Sequence, residues 1–364
     1  MRAARVVIVG GGPAGAAVAL SLARTGLTPI VVEAQAGSQL KVGECLPPSV
    51  NPLLRQLGLV DHVSRAGLPS HGNRYMWGSD EASERDFIFG AAGAGWQLDR
   101  RRFEEELAGA AVAAGAGWRF RHRLVGCSRE RGGGWQLTIN TGRGVDVCQA
   151  DFVVDASGRA ARFARLLGVR RIRYDRLVGL STYLQRDPRA RRQDEDSLTV
   201  VEAVAGGWWY SARLPGGKLI AAYLTDGDLL DRAGLRQDGW STLLRAAPHT
   251  QSRVSGSGYS QLQQPRISPA HTSRLSAIAG IDWLAVGDAA VARDPLASHG
   301  ITAALGTGYY AAAAVRDYLG GRREALLDYA RLVDQDFARY LILHHEHYRA
   351  EGRWADSTFW RRRL

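Results

Sequence analysis

The sequence predicts an α/β protein in which a parallel sheet flanked by helices carries a second, inserted and mainly antiparallel sheet. Three observations predict it. A β-branched strand, Arg5 to Val9, runs into Gly10-Gly11-Gly12-Pro13-Ala14-Gly15 and then a small-residue helix to Arg24, the strand–turn–helix order of a Rossmann unit. Short apolar strands that end in glycine turns return far downstream, at Asp151 to Gly158 and Ile281 to Gly287. Between those two, residues 173–274 change to alternating strands.

The opening turn has a physical reading. Gly10 permits the tight turn, Gly12 removes the Cβ that would block an approaching ligand, and Gly15 lets helix and strand pack closely. Pro13 and Ala14 open the helix, whose free N–H groups and dipole attract a pyrophosphate. A second strand, Thr28 to Val32, ends at Glu33 and Ala34. Glu33 lies eighteen residues beyond Gly15, where a carboxylate accepts hydrogen bonds from ribose hydroxyls and repels a ribose phosphate. The ligand expected is therefore FAD or NAD rather than NADP.

Further along, Tyr75 to Phe89 reads as extended. Gln97 to Gly115 reads as a helix through Leu98, Phe103, Leu107, Ala110 and Ala111, with Asp99 as N-cap. Strands at Trp118 to Ser128 and Trp135 to Asn140 flank a glycine turn and form a hairpin. Strands Leu177 to Leu184, Leu198 to Val204, Gly207 to Leu214 and Leu219 to Leu224 make the inserted sheet. Helices are expected from Gly300 to Leu319 and from Arg323 to about Tyr348. The boundaries read as 1–70, 97–172 and 275–320 for the cofactor domain, 71–96 and 173–274 for the inserted sheet, and 321–364 for a C-terminal helical segment.

At 364 residues the chain is long enough for two intimately packed domains. No apolar run reaches the roughly 18 residues a bilayer-spanning helix takes, and the first strand leaves no room for a signal peptide. Stable membrane insertion is not expected, and a cytoplasmic location is the default. Cys45, Cys127 and Cys148 show no metal-ligand spacing, and the latter two read as inert core thiols. His344, His345 and His347 lack a completing carboxylate or cysteine nearby, so no metal is expected. A net charge of +11 favours acidic partners, yet no nucleic-acid-binding signature accompanies it. The tail Trp360-Arg361-Arg362-Arg363-Leu364 reads as a solvated end.

With the glycine fingerprint, the Asp155-Ala156-Ser157-Gly158-Arg159 turn and Gly287-Asp288-Ala289-Ala290 followed by Asp294-Pro295 and Gly300-Ile301, the chain resembles the single-component FAD monooxygenases. Within them it is similar to the branch of geranylgeranyl reductases and tryptophan-halogenase-like flavoproteins, through Gly43-Glu44-Cys45-Leu46-Pro47-Pro48. The resemblance implies bound FAD and a para-hydroxybenzoate-hydroxylase-like fold. It places Asp155, Gly287 and Asp288 at the cofactor, with Asp288 on the ribityl chain and Arg100 nearby. Pro295, Gly300 and Ile301 belong to the loop and helix start beside the flavin, where a helix N-terminus stabilises negative charge on the reduced ring. Glu44, Cys45, His299, Trp208 and Tyr210 are the catalytic candidates it suggests. On a strand, Trp208 and Tyr210 share one face and Trp209 the other.

Departures from the halogenases narrow the reaction. Their W-x-W-x-I-P motif is replaced by Gly207-Trp208-Trp209-Tyr210-Ser211-Ala212, and neither Lys41 nor Lys218 falls in Asn73 to Trp77, where the halogenase lysine is expected. The Gly-Trp-Trp-Tyr-Ser-Ala string instead resembles flavoproteins that mature peptidyl tryptophylquinone cofactors of amine and amino acid oxidases. The reaction so implied is oxygen-dependent hydroxylation of an aromatic group, a tryptophan in a precursor protein, with dioxygen and an external reductant of unspecified identity. Hydroxylation of a small aromatic metabolite, double-bond reduction and a non-catalytic flavin-bearing maturation partner are the alternatives.

Overall fold

A computed structural model describes residues 5–37, 43–189, 194–231 and 239–364 of the chain. Val6–Val9 lies at the middle of a six-stranded sheet, parallel to Ile30–Glu33 on one side and Phe152–Asp155 on the other. Gly117–Phe120 and Trp283–Ala285 extend it in parallel, and Ala279–Gly280 closes one edge antiparallel. Val6–Val9 and Phe152–Asp155 are buried throughout, which is why both are near-continuous apolar runs rather than alternating ones. Helix Pro13–Ala23 packs between helices Gly300–Leu319 and Arg100–Ala113. A Cβ at Gly308 would stand 2.5 Å from the Ala14 carbonyl oxygen, so the two backbones can approach only because that position is glycine.

An eight-stranded sheet makes the second layer. Its order is Tyr259–Gln261, Leu177–Arg186, Lys218–Asp226, Gly207–Leu214, Thr199–Val204, Gly72–Met76 and Ser83–Asp86, with Arg266–Pro269 also on Leu177–Arg186. All of its pairings are antiparallel except Thr199–Val204 with Gly72–Met76. Helices Gly239–Arg245 and Pro248–Gly256, absent from the strand-only expectation for 173–274, cover one face, and Trp209 meets Trp240 there at 5.0 Å between ring centroids. The opposite face carries Trp208 and Tyr210, in agreement with the strand alternation, and packs on the C-terminal segment.

Several local expectations change. Leu98 ends the strand Gly95–Leu98 instead of beginning a helix; the helix starts at Arg100, where Asp99 accepts the Arg102 N–H. The strand expected over Trp118 to Ser128 breaks at Arg121, whose φ of +59° turns the chain from the parallel sheet into a separate sheet of Arg123–Arg129, Trp135–Asn140 and Val145–Ala150. Cys127 and Cys148 flank Leu137 in that sheet and are half-buried rather than core. The basic tail is not a solvated end: Phe359 and Trp360 are fully buried, the Trp360 indole N–H donates to the Val204 carbonyl at 2.9 Å, and Arg362 and Arg363 pair with Asp226. Apolar rings were available there to fill the sheet face, and buried Asp226 supplies the countercharge.

Candidate active site

The glycine turn is built as its spacing requires. Gly10 has φ +107°, and a Cβ there would lie 2.4 Å from the Ala156 carbonyl oxygen. At Gly15 a Cβ would lie 2.0 Å from the Gly10 carbonyl oxygen, so this glycine serves the contact of helix and strand. Gly12 differs: nothing stands within 4 Å of its missing Cβ. That empty cradle at the N-terminus of Pro13–Ala23 fits a pyrophosphate. Glu33 accepts hydrogen bonds at 2.7 Å from the N–H groups of Gly11 and Gln35, which fixes its carboxylate beside the turn, with half-buried Ala34 next to it. The Trp118 ring packs against Gly11 and its enclosed indole N–H has no partner among the described residues, a feature the sequence did not single out.

Opposite this turn, Gly287 has φ +54° and its missing Cβ would meet Ala14 at 2.8 Å, which joins the two distant motifs. The Gly287 N–H donates to the Thr307 hydroxyl. Arg171 clamps the carbonyls of Asp288 and Ala289 at 3.1 and 2.7 Å, and Arg159 reaches the Asp288 carboxylate at 3.5 Å. Asp288 stays 41% exposed and shares a recess with Gly287, Gly300, Ala303 and Thr307. His299 caps the Gly300–Leu319 helix from an exposed position, Ile301 is buried, and the enclosed Thr302 hydroxyl has no partner among the described residues. A ligand laid from Gly12 to this helix start would thus meet open backbone and polar atoms, and the residues present fit FAD.

Asp155 departs from its expected place. It is completely buried, and its carboxylate accepts hydrogen bonds from the Ser157 N–H and hydroxyl and the Ala164 N–H. Burial pushes its pKa up. It shapes the turn behind the cofactor and offers no exposed atom to it.

A second cluster faces the inserted sheet. Arg100, 9% exposed, donates to the Gly43 carbonyl and to Glu104, both at 2.7 Å, and so anchors the start of the Gly43–Pro48 loop instead of standing in solvent. Glu44 is fully buried and accepts the Tyr183 hydroxyl at 2.5 Å and the Gly43 N–H at 2.8 Å. Burial raises the Glu44 pKa, against the lowering effects of Tyr183 and Arg100. Cys45 contacts the Thr199 hydroxyl at 3.3 Å, and burial pushes its thiol up to about 11. A thiol held protonated is a poor nucleophile, so Cys45 serves the wall of the site. Lys41 and Val42 lie outside the described residues.

Tyr210 and Trp208 separate despite sharing a face. Trp208 is 1% exposed, its N–H donates to the Tyr348 hydroxyl at 3.0 Å, and it lines no accessible space. Tyr210 is only partly buried; it, Tyr75 and Leu296 pack against the same buried cluster, which holds Val201 and Trp208, and Leu296 comes from the 3₁₀ turn Pro295–Ala297 that precedes His299. Exposed Pro295 follows Asp294, whose carboxylate receives the Tyr348 hydroxyl at 2.7 Å and lies 3.1 Å from His344. His344 therefore ties the C-terminal helix to the loop beside the recess. Tyr183, Arg171, Asp294 and His344 were invisible as a group because their partners lie 50 to 139 positions away or are backbone carbonyls.

Comparison with known proteins accounts for the glycine turn and what surrounds it. The family described as "FAD binding domain" matches residues 3–205. The chain belongs to that family. It is 29% identical to LodB of Marinomonas mediterranea (strain ATCC 700492 / JCM 21426 / NBRC 103028 / MMB-1), named as an FAD-dependent oxidoreductase, over 98% of this chain and 96% of that one. Among solved structures, peptidyl tryptophan dihydroxylase QhpG, described as essential for tryptophylquinone cofactor biogenesis, superposes with a TM-score of 0.80 at 26% identity, covering 99% of this chain and 78% of its own. The flavin-dependent halogenase CmlS superposes with a TM-score of 0.88 at 24% identity, covering 100% and 68%, and shows the shared fold. The protein is an FAD-dependent oxidoreductase with the fold class its sequence predicts. Among the described residues no helix is long and apolar enough to cross a membrane.

Proposed function

We propose that this flavoprotein is a monooxygenase that hydroxylates a tryptophan side chain within a precursor protein during quinone cofactor maturation. The observation that carries the reading is the wall where Tyr75 and Tyr210 flank Val201 on one face of the inserted sheet and Leu296, from the loop beside the cofactor recess, packs against the same apolar cluster. Near full-length similarity to LodB and QhpG supports the same substrate class. Gly12, Glu33, Asp288 and the start of helix Gly300–Leu319 would hold FAD, and reduced FAD supplies the activation of dioxygen.

The protein's own part is positional. Tyr75, Tyr210 and Leu296 offer flat apolar area against which an indole ring packs and from which water is excluded. Arg100 and Tyr183 fix the loop that carries Glu44, so the wall of the site does not shift when substrate enters. In the segment Asn73 to Trp77 there is no lysine, and Arg74 is engaged by Glu84 and Asp196, which favours oxygen transfer over halogenation. The net charge of +11 favours an acidic client protein. Incubation of the reduced enzyme with precursor protein is expected to add one or two oxygen atoms to a single tryptophan, read by peptide mass spectrometry. A halide-dependent gain of a halogen atom, or no oxygen-dependent gain, overturns the reading.

A further inference from the structure

Among the described residues, the Tyr210 hydroxyl is enclosed yet has no hydrogen-bond partner in the protein. Its ring is only partly buried, so the residue lies at the edge of accessible space rather than in the core. It packs against two clusters of side chains: one with Val201, Trp208 and Ala222, on which Tyr75 and Leu296 also pack, and one with Tyr183, Ala212 and Ile220. Glu44, Cys45 and Tyr183 lie close enough to act on it electrostatically. None of these three takes up the Tyr210 hydroxyl: Glu44 receives Tyr183 and Gly43, and Cys45 pairs with Thr199.

An enclosed hydroxyl left unpaired is costly, and proteins retain such groups where a ligand completes them. The strand alternation that puts Tyr210 on this face is fixed by pairing of Tyr210 with Val201 and Ala222, so the hydroxyl cannot swing to the opposite layer. Burial and the nearby Glu44 both raise its pKa, which keeps it a neutral O–H able to accept as well as donate.

We propose that the Tyr210 hydroxyl is the polar anchor of the substrate site, accepting the ring N–H of an indole that packs on Tyr75 and Leu296. The proposal rests on the tryptophan reading above and sharpens it: the substrate is recognised by one N–H at the ring edge, which sets which ring carbon faces the cofactor. Tyr210 is a positioning residue in this scheme. Tyr183 and Glu44 hold the wall behind it and do not contact the N–H.

The test uses FAD-loaded full-length protein and titrates 3-methylindole and 3-methylbenzothiophene, which differ in that N–H, by isothermal calorimetry. Wild type is expected to bind 3-methylindole roughly tenfold more tightly, and Tyr210→Phe to bind both alike with unchanged FAD content. Tyr223→Phe, on the opposite face of the same sheet with Trp209, is expected to keep the discrimination. Equal binding of the two probes by wild type, binding of neither, or discrimination that survives Tyr210→Phe overturns the proposal. Protein that discriminates the probes but adds no oxygen to precursor keeps this anchor and loses the monooxygenase reading. Protein that hydroxylates precursor without discriminating does the reverse.

Discussion

The sheet around Val6–Val9 and the sheet around Gly207–Leu214 make their sites by opposite means. In the first, contacts arise where side chains are missing: Gly10, Gly15 and Gly308 let backbones touch, Gly287 makes room for the Ala14 side chain, and Gly12 leaves space for a ligand. In the second, large rings fill one face, Trp208, Tyr348, Phe359 and Trp360 in the interior and Tyr210 and Tyr75 at its edge. A missing side chain tolerates no addition, whereas a filled face tolerates no loss. The first kind of site is readable from a short string; the second depends on what arrives from elsewhere in the chain.

This contrast can be broken by substitution. The largest effect is expected from Gly15→Val, whose side chain would meet the Gly10 carbonyl: the protein should lose FAD altogether and part of its thermal stability, read from the flavin-to-protein absorbance ratio and a melting curve. Gly12→Ala is the control that sharpens it. Its Cβ meets no protein atom, so the FAD-free protein should melt as wild type does while FAD affinity falls. On the filled sheet, Trp360→Ala should cost about 3–5 kcal/mol in chemical denaturation, because a fully buried ring is removed.

Smaller effects follow from the polar groups that join the two layers. Asp294→Asn keeps the shape but removes the charge that receives Tyr348 and faces His344; a loss of about 1–3 kcal/mol is expected in the same assay. Glu44 gives the smallest and most pH-specific signal. Its folded pKa is raised above the unfolded value, so its share of stability is present below about pH 4.5 and declines as pH rises toward the folded pKa. Glu44→Gln should flatten that limb of the stability–pH curve, and an unchanged slope would show that Glu44 does not titrate there.

The cofactor half was legible because each residue acts on near neighbours. Gly10, Gly12, Gly15 and Glu33 fall within twenty-four residues, and the tight turn, the open cradle and the close helix–strand contact that the glycine spacing predicts are all present. Asp155 was misread for a reason the string cannot show: the same turn that points toward the cofactor folds its carboxylate back onto Ser157 and Ala164. The substrate wall was legible only by halves. Alternation placed Trp208 and Tyr210 on one face, but the C-terminal rings that bury the first and spare the second belong to residues 348–360. Arg100 was expected near the cofactor from the resemblance alone; its hold on the Gly43 carbonyl emerged only in three dimensions.

One feature of the parallel sheet bears on how the protein reaches its folded state. Val6–Val9 pairs with Phe152–Asp155, which pairs in turn with Trp283–Ala285, so the cofactor cleft closes only after two pairings between strands more than a hundred residues apart in the chain have formed. Such long-range pairing is slow, because chain entropy must be lost before the contacts are gained. FAD binds the closed arrangement and shifts the equilibrium toward it by mass action. Flavin supply during synthesis should therefore govern the yield of folded protein, apart from any role in turnover.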